Sequence, residues 1–142
     1  MVVQTTAPVS NSVQSQVPLV LVVDDDDDSL TLMAYILEQL SCQACFVADG
    51  FAALVAAQQQ QPSLILSDIH LPEVDGYSLL KQLRADGSTQ NIPVVAVTAL
   101  AGSDNRHRIL AAGFDDYISK PFLVQSVEQL IGRFIGLGQP VG

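Results

Sequence analysis

Short apolar segments alternate along the chain with segments in which apolar residues recur at helical spacing. The apolar segments are rich in β-branched residues, which favours strands, and the segments between them are typical of amphipathic helices. We predict strands, each followed by a helix, at residues 19–23, 42–47, 64–67, 94–97 and 117–118. The pattern therefore predicts five successive strand–helix units.

The predicted strands are apolar throughout and do not alternate with polar residues. Such strands are buried on both faces, which is typical of a parallel sheet covered by helices on both sides. The expected fold class is α/β, a doubly wound five-stranded parallel (βα)5 sheet. For the strand order we adopt 2-1-3-4-5, the flavodoxin-like order of that fold class, because the spacing of this chain does not specify one.

The periodic pattern stops short of both termini. Residues 1–17 lack periodicity and are predicted to form a flexible N-terminal tail, residues 18–136 to form the single domain, and residues 137–142 to form a C-terminal tail. The start at Met1 and the lack of an effector module after Phe134 favour a free-standing protein. The alternative is a fragment of a larger protein.

The composition argues against several classes of function. The chain has 142 residues, 49% hydrophobic and 15% charged, which is typical of one core-rich globular domain. Its formal net charge is −9, and its first basic residue is Lys81. Without a basic patch, we expect no direct binding to nucleic acid or anionic lipid. No apolar run is long enough to cross a membrane, so we expect a soluble, cytoplasmic protein.

Cys42 and Cys45 have the C-x-x-C spacing that in other contexts indicates a redox or zinc site. Both lie in the second predicted strand, where residues three apart point to opposite faces. The chain has no second cysteine pair, and His70 and His107 are far away in sequence. We therefore interpret both cysteines as small apolar side chains.

Polar residues follow four of the five predicted strands. Asp24 and Asp25 follow the first strand, Asp68 the third, Thr98 the fourth and Lys120 the fifth. In an open parallel sheet, ligands bind at the carboxyl ends of the strands, near the switch in strand order. With the order 2-1-3-4-5 these polar ends are contiguous, and the second strand, which has no reactive end, lies at the edge.

Three carboxylates that converge at one edge of a sheet would repel one another. A hard divalent cation such as Mg²⁺ relieves that repulsion, because it takes oxygen ligands from one or two carboxylates and keeps several waters. Such a centre suits a phosphoryl group as a further anionic ligand. We predict Asp68 as the nucleophile, Lys120 as the compensating cation and the Thr98 hydroxyl as a hydrogen-bond donor.

Four motifs occur in order: VVDD at 22–25, LSDIHLPEVDG at 66–76, VTA at 97–99 and YISKPF at 117–122. In these motifs the chain resembles the receiver domain of two-component response regulators, in the superfamily of chemotaxis-regulator-like proteins. The similarity runs from about Leu19 to Phe134. It implies a signalling phosphoacceptor that assists its own phosphoryl transfer and dephosphorylation, and not an enzyme in the usual sense.

The resemblance implies that Asp68 is the phosphoacceptor. Its phosphoryl donor would be a histidine kinase or a His-containing phosphotransfer protein. Asp24 and Asp25 resemble the acidic pair that, with Asp68, holds Mg²⁺ or Mn²⁺. The backbone carbonyl of His70 occupies the position that completes the metal shell.

The resemblance also implies a conformational switch. Lys120 resembles the residue that pairs with the phosphate, and its bond to Pro121 is expected to be cis. Thr98 and Tyr117 resemble a pair in which the Thr turns toward the phosphoryl oxygen and the aromatic ring swings inward. In the family, this reshapes the face formed by the fourth helix, fifth strand and fifth helix. We expect output through a protein target at that face, or through a phosphate relay.

Three alternatives stand beside a free-standing regulator. One is a receiver piece of a hybrid histidine kinase or a phosphorelay shuttle. Another is a pseudo-receiver adaptor that is never phosphorylated, against which the intact Asp68, Thr98 and Lys120 argue. The third is a haloacid-dehalogenase-like phosphatase, which is disfavoured because its acid/base Asp would stand where this chain has His70.

Other polar residues near these motifs have ordinary structural explanations. Residues 26–28 are predicted to cap the first helix and its dipole, and residues 75–76 to open the third helix. The His70 side chain is predicted to be neither a base nor a ligand, although it lies close enough to influence dephosphorylation. In the family that the chain resembles, the residues after the fourth strand influence how long the phosphate lasts. Here Leu100 is apolar, and the sequence does not predict that lifetime.

Overall fold

The computed structural model describes residues 3–4, 17–99 and 102–136. Its strands and helices alternate as the hydrophobic pattern predicts. The strands are β1 (Val3–Gln4), β2 (Leu19–Val23), β3 (Gln43–Val47), β4 (Leu64–Asp68), β5 (Val94–Thr98) and β6 (Asp116–Ser119). The helices are α1 (Asp27–Gln39), α2 (Gly50–Gln60), α3 (Gly76–Ala85), α4 (Ser103–Ala112) and α5 (Val124–Ile135).

The strands form one sheet in the order β1-β3-β2-β4-β5-β6. Strands β2 to β6 pair in parallel, and counted by themselves they follow the order 2-1-3-4-5. A helix lies in each connection between successive parallel strands, as parallel pairing requires. The prediction of a doubly wound α/β sheet is therefore confirmed.

A sixth strand, which the hydrophobic pattern does not predict, extends the sheet beyond β3. Val3 of β1 lies antiparallel to Phe46 of β3, and Gln4 lies opposite Cys45. Two residues that pair through their backbones leave no periodic trace, which is why this strand falls in the predicted tail. The rest of the predicted tails (1–2, 5–16 and 137–142) and Leu100 lie outside the described residues, and the domain limits 18–136 stay a prediction.

Different helices cover the two faces of the sheet. Leu21 and Val23 of β2 belong to the core shared with α2, α3 and α4, whereas Val20 and Val22 belong to the core shared with α1 and α5. This two-sided burial explains why the strands are apolar throughout. None of the helices in the described part of the chain combines the length and apolar composition needed to cross a membrane.

Aspartate side chains begin three of the helices. Asp26 caps α1, Asp49 caps α2 and Asp75 caps α3, each by accepting a hydrogen bond from the backbone N–H three residues later. The predicted capping roles of Asp26 and Asp75 are thereby confirmed. Asp27 and Asp28 lie in the first turn of α1, where their charges favour the helix dipole.

The two cysteines point to opposite sides of the sheet, as predicted. Cys45 is buried in the core shared with α2 and α3, whereas Cys42 packs against the core on the side of α1 and α5. Both thiols are free, and burial raises the pKa of Cys42 to about 11. The unreactive thiol form of Cys42 therefore dominates at neutral pH, which supports the structural interpretation.

The start of α3 packs directly against the backbone that follows β4. A Cβ atom on Gly76 would lie 2.7 Å from the carbonyl oxygen of Asp68 and 2.7 Å from the Cα of Ile69. The Gly76 N–H also donates a 2.7 Å hydrogen bond to the Ile69 carbonyl. Because both neighbours are backbone atoms, no change of rotamer makes room for a side chain at this position.

We expect Gly76→Ala to lower the free energy of unfolding by about 2 kcal/mol or more, because overpacking forces the backbone to move. Gly87→Ala is the matched control, because a Cβ there meets no atom of the described chain within 4 Å. Its expected effect is within about 0.5 kcal/mol. Urea denaturation measures both variants against the parent, and equal stability of the two variants would contradict the packing explanation.

Candidate functional site

The polar residues predicted at the strand ends lie together at the carboxyl edge of the sheet. Asp24 follows β2 directly, and Asp68 is the last residue of the neighbouring strand β4. Thr98 is the last residue of β5, and Lys120 follows β6 directly. The topology therefore brings residues that are distant in sequence to one site.

A single ammonium group joins two buried carboxylates. Lys120 Nζ lies 2.9 Å from Asp24 Oδ2 and 3.0 Å from Asp68 Oδ2. Asp24 is 3% exposed and Asp68 is 7% exposed, so both carboxylates are largely removed from water. Buried charges need a partner to offset their desolvation, and Lys120 supplies it for both.

Backbone N–H groups hold the second oxygen of each buried carboxylate. The N–H of Asp26 donates to Asp24 Oδ1 at 2.9 Å, and the N–H of His70 donates to Asp68 Oδ1 at 3.1 Å. Each carboxylate is thus held by one backbone donor and by the shared ammonium of Lys120. The orientation of Asp68 is therefore set jointly by the loop that begins after β4 and by Lys120.

Burial and charge act in opposite directions on these groups. Burial raises the pKa of Asp24, and the hydrogen bond to Lys120 offsets only part of this effect. Burial by itself lowers the pKa of Lys120, but hydrogen bonds to Asp24 and Asp68 and the charges of both outweigh it, so the pKa lies above its ordinary value. The ammonium therefore stays protonated at neutral pH.

A third carboxylate stands beside the buried pair. Oxygen atoms of Asp24, Asp25 and Asp68 all lie within 4.8 Å of one another, and Asp25 is exposed to solvent. One ammonium does not neutralise three carboxylates, so the cluster keeps a net negative charge. A donor set made only of oxygens and open to water on one side fits Mg²⁺ or Mn²⁺.

Thr98 and Tyr117 lie on the adjoining strands β5 and β6. Thr98 is fully buried, and its carbonyl accepts a 2.8 Å hydrogen bond from the N–H of Lys120. A pocket of about 190 Å³, lined by residues of α4 and of the loop after β4, reaches Thr98. Tyr117 is partly buried, and the guanidinium of Arg106 on α4 lies 5.8 Å from the centre of its ring.

Some features near the site were expected, and others were not. His70 is exposed on the loop after β4, and the Lys120–Pro121 peptide bond is cis, as the family resemblance implied. The ring contacts of α4 were not predicted. Arg108 lies 5.6 Å from the ring centre of Tyr77, which in turn meets Phe114 edge-on at 5.7 Å. No local signal marks such contacts, because the partners come from different elements.

The family model described as the response regulator receiver domain matches residues 20–132 of the chain. The polar-differentiation response regulator DivK of Brucella anthropi is 36% identical over 117 residues, which cover 82% of this chain and 95% of DivK. The sensor protein GacS of Pseudomonas syringae pv. syringae is 33% identical over 134 residues. That match covers 92% of this chain but only 15% of GacS, so the chain spans a small part of some relatives.

A solved structure shares the architecture. The crystal structure of the receiver domain of sensor histidine kinase PA1611 from Pseudomonas aeruginosa PAO1 superposes with a TM-score of 0.78 at 34% identity. The match covers 84% of this chain and 98% of that one, and the PA1611 domain has a magnesium ion coordinated in its active-site cleft. The similarity of fold therefore extends over most of both chains.

We expect Mg²⁺ to stabilise the folded chain, because a bound cation relieves the repulsion among the three carboxylates. At about ten times its Kd, the ion would add roughly 1.4 kcal/mol to the free energy of unfolding. That corresponds to an increase of about 4 °C in Tm for a domain of this size. Differential scanning calorimetry with and without Mg²⁺ measures the increase.

Two variants that each lose one negative charge show whether the ion binds at the carboxylate cluster. Asp25→Asn removes a member of the carboxylate cluster and is expected to abolish most of the increase in Tm. Asp27→Asn removes the same charge from the first turn of α1 and is expected to retain it. An equal response of the two variants would argue against a metal at the cluster.

Proposed function

Because the chain belongs to the response regulator receiver domain family of two-component signalling, we propose that it accepts a phosphoryl group on Asp68 and then switches a protein-interaction face. The proposed donor is the phospho-histidine of a histidine kinase or of a His-containing phosphotransfer protein. The observation that carries the proposal is the ammonium of Lys120, placed 2.9 Å from Asp24 and 3.0 Å from Asp68. It holds the acceptor carboxylate and lies where a phosphoryl oxygen would need a positive partner.

Asp68 is the proposed nucleophile. One of its carboxylate oxygens attacks the phosphorus of the phospho-histidine, and a P–O bond forms while the P–N bond breaks and the imidazole leaves. The backbone N–H of His70 and the ammonium of Lys120 restrict the rotation of the attacking carboxylate. Positioning and charge neutralisation supply most of the catalysis in such a transfer.

Lys120 and Thr98 are proposed to bind the phosphoryl group after transfer. The Lys120 ammonium pairs with one phosphoryl oxygen, and the Thr98 hydroxyl donates a hydrogen bond to another. Both residues lie at the carboxyl ends of strands on the side of β4 away from β2, and Thr98 directly adjoins β4 in the sheet. Their contribution is electrostatic, because each is a donor aimed at developing negative charge.

We propose that Asp24, Asp25, Asp68 and the backbone carbonyl of His70 hold Mg²⁺ or Mn²⁺. When bound, the ion supplies positive charge to the phosphoryl oxygens. Support comes from the three carboxylates within 4.8 Å of one another and from the magnesium ion in the cleft of the PA1611 receiver domain. The exposed side chain of Asp25 keeps this side of the cluster open to water and to the donor.

Thr98 and Tyr117 are the proposed switch pair. The Thr98 hydroxyl turns toward the phosphoryl group, and the Tyr117 ring moves inward beside α4. The pocket of about 190 Å³ that reaches Thr98 supports the first of these movements, because it leaves space beside the Thr98 side chain. Movement of the ring would alter the face formed by α4, β6 and α5, where we propose that a downstream protein target binds.

The comparisons favour two different settings for the same Asp68 chemistry. The match to nearly the whole of the response regulator DivK favours a free-standing regulator. The match to a small part of the sensor protein GacS favours a receiver piece of a hybrid kinase, and a phosphorelay shuttle would use the same acceptor. A cytoplasmic location and the lack of direct nucleic-acid or membrane binding stay predictions from the charge and composition.

Intact-protein mass spectrometry after incubation with a small acyl phosphate tests the acceptor. We expect a single phosphoryl adduct that requires Mg²⁺ and is absent from Asp68→Asn. Asp104→Asn is the control, because it alters an exposed aspartate on α4 and should be phosphorylated like the parent. An adduct that persists in Asp68→Asn would overturn the assignment. No adduct from either an acyl phosphate or a phospho-histidine donor would favour the pseudo-receiver alternative.

We expect Thr98→Val to be phosphorylated without the movement of the Tyr117 ring that normally follows. Val has nearly the shape of Thr but lacks the hydroxyl, so the adduct should still form while Tyr117 no longer responds. The chain has three tyrosines and no tryptophan, so tyrosine emission before and after phosphorylation reports the change. Tyr35→Phe, at an exposed position on α1, should leave the change intact, whereas Tyr117→Phe should remove it. A full emission change in Thr98→Val would contradict the coupling.

A further inference from the structure

The centre of the sheet contains a buried hydroxyl group beside the proposed phosphoacceptor. Ser67 precedes Asp68 on β4 and is fully buried. Its neighbours on the adjoining strands are Val23 and Ala96, which are apolar and also fully buried. A hydroxyl in such surroundings is unfavourable unless it forms a hydrogen bond, and an alanine would meet the same need for a small side chain. Packing therefore does not explain a serine at this position.

The hydroxyl of Ser67 binds the backbone of the next residue. Its Oγ donates a 2.9 Å hydrogen bond to the carbonyl of Asp68. This carbonyl belongs to the peptide unit between Asp68 and Ile69, at which the chain leaves β4. The start of α3 packs against the same carbonyl, because a Cβ on Gly76 would lie only 2.7 Å from its oxygen. The hydroxyl and the packing of α3 together restrict the first peptide unit after the strand.

A second hydrogen bond fixes the following peptide unit. The Ile69 carbonyl accepts a 2.7 Å hydrogen bond from the N–H of Gly76. Because a trans peptide unit is planar, its C=O and N–H point in opposite directions, so this bond also sets the direction of the His70 N–H. That N–H donates to Asp68 Oδ1 at 3.1 Å. The loop therefore returns to the acceptor carboxylate through two peptide units, the first held by Ser67 and the second by Gly76.

We propose that Ser67 is a positioning residue for phosphoryl transfer to Asp68. By fixing the first peptide unit after the strand, its hydroxyl directs the N–H of His70 to the acceptor carboxylate and places the His70 carbonyl, the proposed metal ligand. Successive side chains of a strand point to opposite faces, so Ser67 acts through the backbone and not by contact with the phosphoryl group. Its effect on phosphorylation rests on the function proposed above, whereas its restraint of the His70 N–H does not.

Hydrogen exchange of the His70 N–H, measured by NMR on the full chain without Mg²⁺, tests this restraint directly. We expect Ser67→Ala to speed that exchange by about three- to tenfold, which corresponds to the loss of one ordinary hydrogen bond. Ser67→Thr and Ser67→Val add nearly the same volume to the core and differ only in carrying a hydroxyl or a methyl group. The Thr variant should therefore keep slower exchange than the Val variant, even where both are less stable than the parent.

Thr89→Val is the matched control, because it also removes a fully buried hydroxyl that binds a backbone carbonyl. Thr89 Oγ1 donates a 2.7 Å hydrogen bond to the Leu83 carbonyl. Thr89 lies between α3 and β5, at the edge of the sheet opposite to the site. Both Ser67→Ala and Thr89→Val should lower the Tm, but only Ser67→Ala should speed the exchange of the His70 N–H. An equal increase in these two variants, or equal exchange in Ser67→Thr and Ser67→Val, would overturn the proposal.

Two further measurements connect the restraint to the site. Isothermal titration calorimetry gives the Mg²⁺ affinity, which we expect Ser67→Ala to weaken by about tenfold, because the backbone that carries a proposed ligand loses its support. Intact-protein mass spectrometry gives the rate of phosphorylation by a small acyl phosphate. With Mg²⁺ saturating, we expect Ser67→Ala to react about tenfold more slowly, because the attacking carboxylate is less well oriented. Ser67→Thr should exceed Ser67→Val in both measurements, and Thr89→Val should resemble the parent in both.

The combined results distinguish failure of the positioning role from failure of the proposed function. If the parent is phosphorylated on Asp68 and Ser67→Ala matches it in exchange, Mg²⁺ affinity and rate, the positioning role alone is overturned. If Ser67→Ala changes the exchange but neither the Mg²⁺ affinity nor the rate, the hydroxyl is only structural, and the positioning role is again overturned. If the parent forms no adduct with an acyl phosphate or a phospho-histidine donor, the proposed function fails, and the exchange and the Mg²⁺ affinity still decide whether Ser67 orients the loop.

Discussion

The ammonium of Lys120 is the group on which the arrangement of the site depends. It follows β6, yet it binds the carboxylates at the ends of β2 and β4, neither of which adjoins β6 in the sheet. This contact therefore ties the carboxyl edge of the sheet together across β5. Loss of the lysine would leave two buried carboxylates without their cation, which costs more stability than loss of an exposed ion pair.

The three carboxylates of the site carry more negative charge than the single ammonium of Lys120 neutralises, and this excess charge determines which ligands suit the site. Burial keeps the pKa of Asp24 raised in spite of the ammonium, and Asp25 adds a third carboxylate to the cluster. In the proposed function, a divalent cation would relieve this repulsion, and a phosphoryl group would be drawn to that cation on one side and to the ammonium on the other. The repulsion among these carboxylates is thus the physical reason for proposing a metal and an anionic ligand at this site.

Five successive aspartates show how position in the fold separates the roles of identical residues. Asp24 is buried and binds Lys120, Asp25 belongs to the exposed side of the carboxylate cluster, and Asp26 caps α1. Asp27 and Asp28 lie in the first turn of that helix. The chain leaves a strand and enters a helix over these residues, so successive side chains point in different directions. A count of charges does not distinguish these roles.

The pattern of apolar residues is sufficient to predict the alternating strands and helices, whereas the meeting of the polar strand ends also required the strand order 2-1-3-4-5 adopted from the fold class. Burial on both faces requires apolar strands, and parallel strands end at the same edge. The motifs predict the family, which the match over residues 20–132 confirms. Three features were visible only in the tertiary structure. They are the contact of one Lys120 ammonium with two carboxylates, the pairing of the edge strand β1, and the stacking of Arg106 over Tyr117. Each joins separate elements through backbone pairing or single side chains, which leave no periodic signal in the local sequence.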